Sequence, residues 1–192
     1  GTPSYDDAGT LIIKVIASDG QASASQLFNV DVVDVNRPPE AIVPVEADQT
    51  VREGDVYSYQ LPVDAFVDLD GDVLSYSAVM IDGNGNETTL PSWLSFNANT
   101  QTFSGTPSYD DAGVLAVKVM ATDPEGLFAE QVFSLDVIDV NRPPELTSTQ
   151  TTLVTGTEDT TYTLNVADLL QGFSDADGDS LSILNLQADS GA

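Results

Sequence analysis

The sequence predicts an all-β protein made of tandem Greek-key β-sandwich repeats of immunoglobulin-like type. Three observations predict this fold class. A nine-residue motif and its flanking segments recur after about 104 residues. Short runs in which apolar and polar residues alternate dominate the sequence, whereas helical periodicity is scarce. About seven such runs fall within one repeat, which is typical of an immunoglobulin-like sandwich.

The internal repeat defines the domain organisation. Three pairs of similar segments carry it: 1–9 and 105–113, 26–40 and 131–145, and 66–74 and 173–181. A period near 105 residues is the length of a whole domain and is too long for a solenoid unit. The sequence therefore predicts the C-terminal half of one repeat at 1–37, a complete repeat at 38–142 and the N-terminal half of the next at 143–192.

Two short linkers are expected at the repeat boundaries, where Asn36-Arg37-Pro38-Pro39 recurs as Asn141-Arg142-Pro143-Pro144. Paired prolines fix the backbone in extended form and cannot donate to a strand ladder. The repeats are therefore expected to be joined by semi-rigid connections.

Local patterns place the individual elements. Strands are predicted at eight segments: 11–17, 27–33, 57–61, 73–80, 94–96, 101–104, 115–121 and 128–138. The sequence Asp82-Gly-Asn-Gly-Asn86 predicts a hairpin turn. Residues 166–172 could form one helical turn with Asp168 near its start. The single tryptophan, Trp93, is interpreted as a core residue, with stacking on a sugar ring as the alternative.

The charge balance is extreme and excludes several classes of partner. The chain has 31 acidic and 5 basic residues, no histidine and a net charge of −26. Nucleic acids and anionic membrane surfaces are poor partners, because phosphate binding needs Lys and Arg. Cations are the natural partners, since something must offset the repulsion among the carboxylates. The chain has no cysteine, and a cysteine-free exported repeat is more typical of bacteria, so an extracellular, bacterial protein is expected.

The acidic residues cluster at turns and linkers. The clusters are Glu53-Gly-Asp55, Asp68-Leu-Asp70-Gly-Asp72 with its counterpart Asp175-Ala-Asp177-Gly-Asp179, Asp110-Asp111, and Asp123 with the linker Asp139-Val-Asn141. Calcium takes six to eight oxygen ligands, and alternating Asp in a tight turn can supply two carboxylates. The alternative is that Asp and Gly simply favour turns. No cluster has the Gly and Glu spacing of an EF-hand loop.

The chain also resembles a known family. Residues 119–126 and 139–144 look like the end of a cadherin repeat and its linker. Residues 90–97, 102–107 and 66–76 look like the dystroglycan-type cadherin-like domain, also called the Putative Ig domain, of tandem repeats in bacterial surface adhesins. The resemblance covers essentially the whole chain, and it implies that calcium lies between successive repeats and stiffens the array.

The resemblance also implies ligand sets at the two junctions. The first junction would use Asp6 or Asp7, Asp34, Asn36, Asp68, Asp70 and Asp123. The second would use Glu53, an acid of Asp110-Asp111, Asp139, Asn141, Asp175 and Asp177. The linker departs from the cadherin pattern at Arg37 and Arg142, which stand where cadherins have an acidic residue. An arginine repels calcium and could instead pair with a carboxylate. One or two ions per junction are therefore expected, or a site inside the Asp-x-Asp-Gly-Asp turn alone.

The leading functional hypothesis is a calcium-stiffened spacer or adhesion repeat of a surface adhesin, with a cell-surface protein or polysaccharide as possible partner. Two alternatives stay open: a carbohydrate-binding or spacer module of a secreted polysaccharide-degrading enzyme, and an acid-rich sandwich adapted to high salt. Paired carboxylates can hydrolyse glycosides, but here they lie in repeated turns, and no enzyme is predicted. Half-repeats expose strand edges, so head-to-tail self-association of 143–192 with 1–37 is also a hypothesis.

Overall fold

A computed structural model describes residues 1–46 and 48–187. The chain divides into two compact units, Gly1–Ile138 and Asp139–Ala192. No helix in the described part of the chain is long and apolar enough to span a membrane.

The elements are short and almost all are strands. The first unit contains a 3-10 turn at Tyr5–Asp7 and strands β1 (Gly9–Ser18), β2 (Ser23–Val32), β3 (Glu40–Ala41), β4 (Asp48–Arg52), β5 (Tyr57–Gln60), β6 (Phe66–Val67), β7 (Ser75–Ile81), β8 (Glu87–Thr88), β9 (Leu94–Asn97), β10 (Thr102–Gly105), β11 (Gly113–Thr122) and β12 (Phe128–Ile138). The second unit contains β13 (Glu145–Leu146), α1 (Val166–Leu169) and β14 (Phe173–Ser174). All eight predicted strands are present within a few residues of their expected ends, and α1 confirms the predicted helical turn.

The complete repeat is a two-sheet sandwich, which confirms the predicted fold class. One sheet has the strand order β4-β12-β11-β7-β8 and the other has the order β5-β10-β9. The rings of Phe103 on β10 and Phe133 on β12 meet edge to face at 5.4 Å, so the two sheets share one core. Trp93 is half-buried and packs against this core, as predicted.

The long hairpin β11–β12 shows the alternation of buried and exposed residues from which its strands were predicted. Inward residues of β12 are buried at Phe133, Leu135 and Val137, and the residues between them point outward. Strand β4 joins this hairpin in parallel, with Ser134 opposite Asp48 and Ile138 opposite Arg52. The sequence analysis missed β4 because its five residues, Asp-Gln-Thr-Val-Arg, carry a single strongly apolar side chain.

The hairpin β1–β2 repeats the register of β11–β12 but not its burial. Gly9 pairs with Val32 as Gly113 pairs with Val137. Phe28, however, is 47% exposed, whereas its counterpart Phe133 is 2% exposed. The head-to-tail association predicted for these half-repeats stays a prediction, which light scattering over a range of concentrations can test.

The half-buried side-chain amide of Gln131 joins the start of the complete repeat to β12. The Gln131 side chain accepts a hydrogen bond from the Val45 backbone N–H at 2.8 Å, and it donates to the carbonyls of Val43 and Ala65 at 3.0 Å each. Val45 and Ala65 are buried, so these backbone groups have little access to water. The amide of Gln131 therefore satisfies three backbone groups at one point.

We expect Gln131→Leu to destabilise the repeat by about 1–3 kcal/mol, because it leaves the backbone N–H of the buried Val45 without its hydrogen-bond partner. Urea unfolding followed by tryptophan fluorescence would measure this loss. Gln60→Leu is the matched control, since Gln60 is exposed and donates one hydrogen bond to the Thr100 carbonyl. Equal destabilisation by the two substitutions would contradict the stabilising role of the Gln131 hydrogen bonds.

Candidate metal centre

Both Asp-x-Asp-Gly-Asp turns adopt the same conformation. Oδ1 of Asp68 accepts hydrogen bonds from the backbone N–H groups of Asp70 at 2.8 Å and Asp72 at 3.3 Å. In the second unit, Oδ1 of Asp175 accepts equivalent bonds from Asp177 at 2.9 Å and Asp179 at 3.3 Å. A glycine with positive φ closes each turn, at 84° for Gly71 and 82° for Gly178. The first aspartate of each turn thus uses one oxygen to shape the loop.

The other oxygen of Asp68 is the unusual atom of the first turn. Oδ2 of Asp68 is buried and has no hydrogen-bond partner among the described residues. An uncompensated buried carboxylate oxygen is costly, and such an atom calls for an explanation such as an ion. It lies within the set of acids predicted for the first junction.

Asp123 and Asn36 meet beside this turn. Asp123 is 4% exposed. Its carboxylate accepts a hydrogen bond from the Leu127 backbone N–H at 2.8 Å and another from the Asn36 amide at 2.8 Å. Burial favours the neutral acid, but the hydrogen bonds from Asn36 and the following turn outweigh it and lower the pKa of Asp123. Asp123 therefore stays ionised and joins the linker to the end of β11.

The electrostatic environment of Asp72 shows that several of the predicted carboxylates face one region. Its pKa is raised, first by burial and then by the negative charges of Asp68, Asp123, Asp70 and Asp34. These acids come from the end of the first half-repeat, from the turn and from the end of β11. The fold therefore brings these four acids within electrostatic reach of Asp72.

The middle aspartate of each turn has a different role in the structure. Asp70 forms an ion pair with Arg37, and Asp177 forms one with Arg142. Hydrogen bonds from these arginines lower the pKa of both carboxyls. The expectation that each linker arginine pairs with a nearby carboxylate is thereby confirmed. Whether Asp70 and Asp177 also bind calcium stays a prediction.

Glu53 lies at the end of β4, almost fully buried at 3% exposure. Its Oε1 accepts a hydrogen bond from the Ala112 backbone N–H at 3.1 Å. Nearby, Asp111 accepts two hydrogen bonds from Ser108, at 2.8 Å from the backbone N–H and 2.5 Å from Oγ. Asp110 is exposed. The buried Glu53 carboxylate thus holds the loop before β11, a role that sequence reasoning did not foresee.

The other residues predicted at the second junction belong to the second unit. Asp139 and Asn141 are exposed in the linker, and the Asn141 amide donates to the Arg142 carbonyl at 3.2 Å. Asp175 is half-buried in its turn. Because Glu53, Asp110 and Asp111 lie in the other unit, the meeting of these two groups stays a prediction.

The donor set of the first junction fits a hard cation, since it consists of carboxylate and amide oxygens. Within residues 1–46 and 48–187, no three acidic side chains converge as they stand to hold one metal ion. Calcium binding by this donor set therefore stays a prediction.

Comparison with known proteins agrees with this architecture. Residues 39–138 match a family model described as "Putative Ig domain", and residues 140–192 match one described as "Cadherin-like domain". No curated protein sequence is significantly similar to the chain.

Solved structures with similar folds include the first two extracellular repeats of human mucin-like protocadherin, at 18% identity and a TM-score of 0.50, with 73% of each chain covered. Another is an endo-fucoidan hydrolase of glycoside hydrolase family 107, at 24% identity and a TM-score of 0.43. That alignment covers 73% of this chain but only 20% of the hydrolase. These similarities concern the fold alone.

Proposed function

This chain belongs to the Putative Ig domain family, and we propose that it is a calcium-binding extracellular repeat of a surface adhesin. Calcium would stiffen the junction between successive repeats, so that the array serves adhesion or acts as a spacer. The other partners would be neighbouring repeats of the same protein and a cell-surface protein or polysaccharide. The role is structural, without catalysis, and an exported bacterial protein fits the cysteine-free, acidic composition.

The observation that carries this proposal is Oδ2 of Asp68, which is buried without a hydrogen-bond partner among the described residues. The raised pKa of Asp72, caused by burial and by the charges of Asp68, Asp123, Asp70 and Asp34, supports it. Both features describe negative charge that lacks compensation, and a divalent cation would supply that compensation. Extracellular calcium modules bind with Kd values of roughly 10⁻⁴–10⁻³ M, a range suited to a site outside the cell.

The mechanism is electrostatic. Without calcium, carboxylates on the linker, the turn and the end of β11 repel one another, and this repulsion reduces the stiffness of the junction. With calcium, Asp34 of the linker and Asp68, Asp72 and Asp123 of the following repeat would share one or two ions. Because the ion binds the assembled junction, it would also stabilise the fold by mass action.

Isothermal titration of chelator-treated protein in high potassium chloride tests the proposal. We expect saturable calcium binding that Asp68→Asn weakens at least about tenfold, since the substitution removes a charged ligand. Asp136→Asn is the matched control, because it makes the same change on an exposed strand position of the same repeat. Absence of binding heat, with a melting temperature set only by ionic strength, would contradict the proposal and favour adaptation to high salt.

A further inference from the structure

Arg37 holds Asp70 through both its backbone and its side chain. The Arg37 backbone N–H donates to Oδ2 of Asp70 at 2.7 Å, and Nε donates to Oδ1 at 2.8 Å. Nη2 donates to Oδ1 of Asp70 at 2.5 Å and to the Leu69 carbonyl at 2.8 Å. Both carboxylate oxygens of Asp70 are therefore engaged by one residue of the linker.

The second unit contains the same arrangement. The Arg142 backbone N–H donates to Oδ2 of Asp177 at 2.5 Å, and Nε donates to Oδ1 at 2.7 Å. Nη2 of Arg142 donates to the Ala176 carbonyl at 2.9 Å, as Nη2 of Arg37 does to Leu69. The contact thus recurs in two units, although the intervening segment is two residues longer in the second. Because the contact recurs in both units, we interpret it as a structural feature of the repeat and not as a chance surface ion pair.

Arg37 also reaches back to the first half-repeat. Its guanidinium carbon lies 5.1 Å from the centre of the Tyr5 ring, within the range of a cation–π contact. The negative charges of Asp6 and Asp68 further favour the cation at this position. Asp70 and Arg37 are mostly shielded, with 12% and 21% of their side chains exposed. One guanidinium therefore contacts the repeat before the linker and the repeat after it.

We infer that Arg37 is a built-in cation that holds the first junction together without a metal, by linking Tyr5 of one repeat to Asp70 of the next. Charge-assisted hydrogen bonds to both carboxylate oxygens are strong and directional, so the pair fixes orientation as well as distance. Pro38 and Pro39 follow directly and keep the linker extended. Arg142 and Asp177 fix the second linker to its own turn in the same way.

Asp70 and Asp177 then position the linkers through their arginines and are not calcium ligands. Three of the roughly four lone-pair sites of the Asp70 carboxylate accept hydrogen bonds from Arg37, and the adjacent guanidinium repels a second cation. The junction would then have two components: a permanent one carried by Arg37 and a calcium-dependent one carried by Asp34, Asp68, Asp72 and Asp123. The array would keep its repeat orientation when calcium falls, and calcium would add stiffness to it.

The absence of cysteine from the chain allows a direct test by paired spin labels. Ser25→Cys on β2 and Ser58→Cys on β5 place labels at exposed positions of the two repeats. In chelator and high potassium chloride, pulsed electron paramagnetic resonance should give a narrow distance distribution for the otherwise unchanged protein. Arg37→Met should widen it about twofold, because the linker backbone and the Asn36–Asp123 hydrogen bond then join the repeats without the contacts of the guanidinium.

Arg52→Met is the control, since it removes an exposed arginine of β4 and should leave the distribution unchanged. Circular dichroism would establish that each variant is folded. A distribution in the unchanged protein that is already as wide as that of Arg37→Met would overturn the inference. Because these measurements are made in chelator, they do not depend on whether calcium binds.

Asp70→Asn gives a second, independent readout in the folded protein. It should widen the distance distribution in chelator but leave the number of calcium ions bound, measured by titration, as in the unchanged protein. Loss of one bound calcium on this substitution would make Asp70 an ion ligand and would refute its role as the partner of Arg37 alone.

Discussion

Replacing Gly105 by alanine is expected to destabilise the complete repeat by about 3 kcal/mol, at the upper end of the usual cost of overpacking. A Cβ on Gly105 would lie 1.9 Å from the Trp93 carbonyl oxygen and 2.9 Å from the Trp93 carbonyl carbon. Both are backbone atoms, held by the pairing of β9 with β10, in which Gly105 lies opposite Leu94. Neither strand can yield without disturbing the core around Leu94 and Phe103, so the clash must be relieved by losing packing.

Chemical denaturation followed by Trp93 fluorescence would measure the effect. Gly83→Ala is the matched control, because a Cβ there meets no atom within 4 Å and the backbone has no positive φ. The control is expected to stay within about 0.5 kcal/mol of the unchanged protein. If Gly105→Ala destabilised the protein as little as Gly83→Ala does, the result would contradict the close approach of Gly105 to the Trp93 backbone.

Asp72→Asn is expected to change the melting temperature in opposite directions with and without calcium. In chelator the substitution should raise it, because the ionised Asp72 is half-buried and is repelled by the charges of Asp68, Asp123, Asp70 and Asp34. In calcium the substitution should lower it, because a ligand is lost. Calcium at about 100 times its Kd contributes ~2.7 kcal/mol, or about 10 °C for a domain of this size, and the variant should lose most of that gain.

The pH dependence of stability tests the predicted effect of Asp72→Asn in chelator in a second way. The pKa of Asp72 is raised in the folded protein, so its contribution favours folding below its unfolded pKa. That contribution is lost as the pH rises through the folded value. In chelator, the unchanged protein should therefore lose stability relative to Asp72→Asn as the pH rises above about 4. A constant difference across the acid range, or equal behaviour of Asp136→Asn, would contradict the assignment.

The elements found by sequence reasoning are those with a strong local signal. In the long strands β11 and β12 every second residue is buried over part of the strand, at Val117, Val119 and Ala121 and at Phe133, Leu135 and Val137. The turn at Asp82 was also recognised, and its carboxylate accepts hydrogen bonds from the backbone N–H groups of Asn84 and Asn86. The two-residue strands β3 and β6 carry no periodicity, and they exist only because the chain brings Glu40 opposite Val67.

The acidic clusters also combine features that the sequence indicates with features that only the folded structure decides. Their repetition indicated a cation site, and the linker arginines were expected to meet a carboxylate. Nothing in the local pattern indicates why that carboxylate should be Asp70 rather than Asp68 or Asp72, since all three lie within five residues. The choice follows from the turn, because the Asp68 Oδ1 atom is committed to the backbone of Asp70 and Asp72. Only the carboxylate of Asp70 then engages Arg37 through both of its oxygens.

By itself, the sequence determined the repeat length, the strand pattern and the concentration of negative charge at turns, because periodicity and composition are local properties of the chain. The tertiary structure decided which carboxylates face one another, which one is paired with arginine and which oxygen is left buried. It also decided that Glu53 supports a loop through the Ala112 N–H. The pairing with arginine and the contact of Glu53 join residues more than thirty positions apart, and such contacts form only when the chain folds.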